Sequence, residues 1–255
     1  MPEFALFTVP FFTGLGLAIG LPCLGVYLRL RDEWLAALSY AYVAAAGALL
    51  AMVLGGLPVL GGLFAAGLAG AGKRLVVRRL GSTASYALLL LAAWGISVLF
   101  SANHAMGERL GHALFDGQLF FAGEGQLTAV VVAVLLAGVL LWRLSPVLLL
   151  ARLYPDFARL RGQAIWPTQL GFNLLAALFI ALATMSLGVM GTFALIYVPA
   201  WLAFRRADNW RRGLFRAVAI GVVAYLLTFA VALALDQPFG PVLALMLVFI
   251  GFVVA

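Results

Sequence analysis

Residues 126–161 read QLTAVVVAVLLAGVLLWRLSPVLLLARLYPDFARLR: seventeen uncharged, largely apolar residues, then a stretch that holds four arginines. An α-helix needs about 20 apolar residues, and no fewer than about 17, to cross the roughly 30 Å hydrocarbon core of a bilayer. Lys and Arg gather in the cytoplasmic loops that flank such helices. An apolar run that ends in a basic cluster therefore reads as a membrane span with its cytoplasmic exit.

The same pattern extends in both directions. Fifteen of the sixteen Lys and Arg residues fall at 29–31, 73–79, 143–161 and 205–216, and only Arg109 stands apart. Nine apolar runs separate them, at roughly 5–28, 34–54, 56–72, 84–102, 126–142, 168–186, 189–204, 214–234 and 239–255. Strict alternation places the N-terminus outside, every basic cluster inside and the C-terminus in the cytoplasm. The inner segments then carry +11 and the outer ones −4 of the net +7. A composition that is 65% hydrophobic and 10% charged, with a mean hydropathy of +1.14, agrees. The expected fold is all-α, a polytopic integral membrane helix bundle of about nine transmembrane helices. It forms a single transmembrane domain over 1–255, with a cytoplasmic segment at 143–167 and an external loop at 103–125. Trp34, Trp142, Trp166 and Trp210 border the basic clusters, where amphipathic rings favour the interface, whereas Trp94 falls within a span.

This arrangement excludes several functions. A DNA-binding surface would gather the basic residues on one exposed domain, so no nucleic-acid partner is expected; the charge faces anionic lipid instead. No loop exceeds about 25 residues, too short for an independently folded motor domain. No span carries an ionisable residue near its centre, which argues against a proton relay and makes a secondary transporter the weaker transport reading. The segment GLAGAGKR at 67–74 approaches the phosphate-binding pattern GxxxxGK[ST]. However, Arg74 stands where a hydroxyl is required, and a membrane span precedes it instead of a strand. Its glycines, with Gly14, Gly16, Gly20, Gly61 and Gly62, instead suit close helix approach in lipid. Both histidines lie in one loop, so no catalytic constellation forms and the chain itself is not expected to be an enzyme. The first span lacks the basic start of a signal peptide and reads as a retained helix. The single cysteine, Cys23, excludes an intrachain disulfide.

Two segments carry candidate function. In 143–167, Pro155 suits a helix start, Asp156 its positive end and Gly162 its stop. The segment is either a solvated connector or a short helix that docks into a motor protein, anchored by Phe157 and gripped by Arg159 and Arg161. In the external loop, His104, Glu108, His112 and Asp116 recur every four residues and on a helix would share one face. Imidazole and carboxylate suit Zn²⁺ or a similar divalent ion. The ends of the stripe would lie roughly 18 Å apart, so one ion cannot engage all four. The other reading is a polar outer face that contacts a partner.

The segment YPDFARLRG resembles the DPEFAxxxG loop of the metal-type ABC transporter permeases, the membrane subunits of zinc and manganese importers, with Pro155, Phe157, Ala158 and Gly162 matching. Asp156 replaces the usual Glu, and Tyr154 the leading acid. GVMGTFALIYVPAWLA is similar to the family's GxLLxxALLxxPAATA, with Gly188, Pro199 and Ala203 in register, and Asp236, Pro238 and Gly240 match its DxPxG. LGVYLRLRDEWLAALSYAYVAAAG resembles its opening span and second helix, with Gly25, Arg29, Leu38, Ser39 and Ala41 agreeing. The family's Asp and His on that second helix correspond to Ala36 and Tyr40, and a tyrosine hydroxyl is a poor ligand for Zn²⁺ or Mn²⁺. The resemblance implies a homodimeric permease in a bacterial inner or plasma membrane, paired with a cytoplasmic ATPase that holds ATP and Mg²⁺. It also implies a periplasmic or surface substrate-binding protein. Pro155, Asp156, Phe157, Ala158, Arg159 and Gly162 would then couple to the ATPase, and Ser39, Tyr40 and Pro199 would border the pathway. No cofactor is expected on this chain, and a divalent metal would be its substrate. A non-transporting membrane scaffold is the alternative, assembled through Gly-rich helix faces.

Overall fold

The computed structural model describes residues 6–154, 165–205, 207 and 209–254. Among the described residues every regular element is helical. The helices are α1 (Thr8–Leu30), α2 (Trp34–Val53), α3 (Pro58–Leu80), α4 (Ser82–Asn103), α5 (Ala105–Asp116), α6 (Glu124–Leu153), α7 (Ile165–Ala203), α8 (Trp210–Leu235) and α9 (Phe239–Val254). A 3-10 turn at Leu119–Phe121 joins α5 to α6. Six of these, α1, α2, α4, α6, α7 and α8, are long and apolar enough to cross a membrane.

Local chemistry sets the boundaries. Pro58 opens α3, where its missing N–H removes nothing. Gly81, at φ 80°, separates α3 from α4. The Asn209 side chain accepts a hydrogen bond from the Arg212 backbone N–H and caps α8. Asp236 closes α8 in the left-handed region, at φ 51°.

The 39-residue α7 is two limbs. Gly188 sits at φ 75°, ψ 170°, outside any helical conformation, and divides 165–187 from 189–203. Phe172, near the start of the first limb, lies beneath the Arg31 guanidinium at 4.8 Å. Trp201, near the end of the second, presents its carbonyl to Arg29 at 3.1 Å. Arg29 and Arg31 both belong to the same end of the bundle, so α7 doubles back at Gly188. A straight helix would hold Phe172 and Trp201 about 43 Å apart. The reversal falls between the runs 168–186 and 189–204 expected as separate spans.

The centre of the bundle is α1, α2 and α7, which bury most of their length, while α4 and α6 are largely exposed. Small residues let these backbones touch, as they must where lipid removes the hydrophobic drive between helices. A Cβ on Gly25 would strike the Ile196 carbonyl, and Gly47 and Gly61 each lie against the other's carbonyl.

Two helices run on past the ends of their apolar runs. Residues 143–153, expected in the cytoplasmic segment, continue α6 as helix. The apolar residues between Arg143 and Arg152 extend it by more than two turns, and Pro146 is accommodated inside. Helix α3 likewise runs past 72 to Leu80, which carries Lys73 and its glycine-rich approach inside a helix and removes the resemblance to a phosphate loop.

Candidate functional site

The basic end of the bundle holds an enclosed charged cluster. Lys73 of α3 donates to the Glu33 carboxylate, before α2, at 2.6 Å. Arg31, after α1, reaches the same oxygen at 3.2 Å. The Lys73 ammonium also lies 3.4 Å from the Asn173 amide oxygen of α7 and 5.4 Å from the centre of the Tyr86 ring of α4. These charged side chains are only 9–13% exposed. One carboxylate thus bridges two cations from different elements and leaves the cluster with a net positive charge, beside a cavity of about 240 Å³ also lined by Trp166 and Gln169. Sequence reasoning missed this cluster because Glu33 and Lys73 are 40 residues apart. An exposed pair between Asp32 and Arg152 adds a tie from the α1–α2 turn to α6.

Ser39 and Tyr40 lie next to this cluster. The Ser39 hydroxyl stands 2.7 Å from the carbonyls of both Leu35 and Tyr86, so its one proton ties α2 to itself or to α4. Tyr40 is 1% exposed and packs edge-to-face on Tyr86 at 5.9 Å. Both are enclosed within the subunit between α2 and α4. Pro199 is buried in the second limb of α7, two residues beyond Tyr197, whose ring meets Trp34 at the head of α2.

At the opposite end lie the histidines. Helix α5 carries Glu108, His112 and Asp116, and His104 precedes it in extended conformation as its N-cap. His104 stacks on Phe100, with its Nδ1 3.3 Å from the Phe100 carbonyl. His112 and Asp116 approach to 3.9 Å with side chains 75% and 50% exposed. Glu108 and His112 line a shallow cleft of about 320 Å³ against Ser101. Among the described residues no three His, Cys, Asp or Glu side chains gather as a metal site. From Tyr86 to Phe100, α4 spans about 21 Å, so the stripe and the Tyr40 group are separate.

Three glycines, Gly117, Gly188 and Gly240, join α5 to the core. A Cβ on Gly188 would meet the Phe115 carbonyl and come within 2.7 Å of the Gly117 nitrogen. One on Gly240 would meet the Asp116 carbonyl and come within 2.6 Å of that of Leu187. The end of α5, the reversal of α7 and the start of α9 therefore converge backbone to backbone. The expected coupling residues, Pro155, Asp156, Phe157, Ala158, Arg159 and Gly162, lie outside the described residues.

Fold and charge segregation define a multi-pass membrane helix bundle. The ABC 3 transport family model matches residues 4–255, and the chain belongs to that family. Its membrane-subunit role follows, with ATP hydrolysis left to a separate partner chain. No curated protein matches the sequence. Among solved structures, PsaBC from Streptococcus pneumoniae in complex with Fab aligns with TM-score 0.84 at 16% identity, covering 97% of this chain and 90% of that one. An inward-facing conformation described as of the metal-chelate type of ABC transporter aligns with TM-score 0.74 at 19% identity, covering 96% and 84%. At these identities the likeness is one of fold.

Proposed function

We propose that the chain is the permease subunit of an ATP-binding cassette importer for a divalent metal ion such as Zn²⁺ or Mn²⁺. The family match over residues 4–255 is the observation that carries the permease reading, and the resemblance of the motif segments to the metal-type permeases supports the divalent metal. The convergence of Gly188 and Gly240, the glycines of two motif segments, supports it from the geometry. Two copies form the membrane unit of a bacterial plasma membrane. Nine crossings place the N-terminus outside, with the basic end and the C-terminus in the cytoplasm. The segment around Phe157 docks into the ATPase, whose bound ATP and Mg²⁺ supply the energy. Helix α5 presents its polar face to a substrate-binding protein. Ser39, Tyr40 and Pro199, buried within each subunit, back the helices that border the pathway, and none supplies a strong metal ligand to it.

Copurification with the cognate ATPase tests the coupling. ATP hydrolysis should depend on Phe157, and unchanged stimulation in Phe157→Asp would remove the docking assignment. Cellular metal content with and without the gene tests the substrate: Zn²⁺ or Mn²⁺ should fall on deletion. No difference, with no metal bound by the cognate binding protein, would remove the divalent-cation reading.

A further inference from the structure

Helix α6 leaves a crevice of about 590 Å³ along α1 that ends on the first turn of α8. Its upper walls are apolar and partly small, with Gly20 and Cys23 on α1 facing Val134, Ala137 and Gly138 on α6. Its lower end is polar, bounded by Ser145, Arg211 and the rings of Trp142 and Trp210. Beside it Leu135, Leu136 and Trp142 are exposed, so it opens onto the apolar flank of the bundle. Arg211 is exposed and makes no hydrogen bond or ion pair among the described residues.

The dimensions select the occupant. From Val134 to Leu149 the lined face of α6 extends about 22 Å. One leaflet's share of the hydrocarbon core is about 15 Å, which leaves room for a headgroup. Spread over that length, the volume corresponds to a channel about 6 Å wide. A hydrocarbon chain, whose carbons keep roughly 4 Å from their neighbours, fits. A helix of a second copy, about 10–12 Å across, would cover its open side without entering it. At the polar end Arg211 is the second residue of α8, where the positive helix end adds to its charge. Tryptophan at that level matches the interfacial belt.

We propose that this crevice binds an anionic phospholipid, with one acyl chain between Gly20 and Gly138 and the phosphate at Arg211. Cys23, the only cysteine in the chain, lies in its wall and reports occupancy. The experiment measures alkylation of Cys23 by a lipophilic maleimide in the full-length chain, held in phosphatidylcholine nanodiscs with rising phosphatidylglycerol. Phosphatidylglycerol should slow alkylation about fivefold, the contribution expected of one arginine near a membrane surface. Arg211→Gln should abolish the difference between the lipids. Gly138→Leu should abolish it too, because its side chain enters the crevice from a position where an added Cβ meets nothing within 4 Å. Equal rates in both lipids for the parent chain, or an undiminished lipid difference in Arg211→Gln, would overturn the proposal. So would protection that follows the number of chains per disc instead of the lipid, because a second copy would then be the occupant.

Discussion

Replacing Gly188 with alanine should destabilise the bundle markedly. At φ 75°, ψ 170°, this residue occupies a region that is essentially glycine's alone, and a side chain there costs about 1–3 kcal/mol. The added Cβ would also press on the Phe115 carbonyl and the Gly117 nitrogen, which are backbone atoms and cannot rotate away. Overpacking of that kind costs a further 1–3 kcal/mol or so. The total, about 2–6 kcal/mol, is a large part of the roughly 5–15 kcal/mol that holds a typical protein together. Gly138→Ala is the matched control, since its Cβ meets nothing and alanine gains up to about 1 kcal/mol in a helix interior. Thermal unfolding in detergent, followed by tryptophan fluorescence, should show a clear fall in Tm for Gly188→Ala and no fall for Gly138→Ala. Equal midpoints for Gly188→Ala and the parent chain would refute the reversal at this residue.

The charged cluster makes an ordered prediction. Glu33→Gln leaves both Lys73 and Arg31 without their shared carboxylate, and breaking a buried pair in this way costs about 3–5 kcal/mol. Lys73→Met leaves Glu33 paired with Arg31 and should cost less; denaturation midpoints in the reverse order would show that the cluster is not held by Glu33. At the histidine end, His104→Ala with His112→Ala should leave metal uptake within about twofold of the parent chain, because no third ligand converges on them among the described residues. A tenfold loss would instead make the stripe a ligand set.

The apolar runs and basic clusters made most of the fold legible, because a span declares itself by length and its inner end by charge. The reversal of α7 was visible as the gap between two runs, with Gly188 standing in it. The continuation of α6 through Arg143 was not, since a long helix can carry arginine beyond the apolar core while its hydrogen bonds continue undisturbed. The contacts that build the site were hidden as well. Nothing in the spacing of Glu33 and Lys73, or of Tyr40 and Tyr86, announces that α2, α3 and α4 bring them together. Arg29 was read as part of a basic cluster, but its guanidinium serves the last carbonyls of α7, at Ala200 and Trp201. The glycines were legible as contact residues, but their partners were not. Gly61 meets Gly47, and a Cβ on Gly70 would come within 2.9 Å of the Asn173 carbonyl oxygen, both pairings set by tertiary packing.

The most direct test of an ATPase-driven metal permease is uptake of radiolabelled Zn²⁺ or Mn²⁺ into vesicles that hold the chain, its cognate ATPase and the binding protein. Accumulation that requires ATP and disappears in Phe157→Asp is the predicted result. Vesicles in which the complex is assembled and hydrolyses ATP, yet accumulate neither ion above the level without ATP, would contradict it.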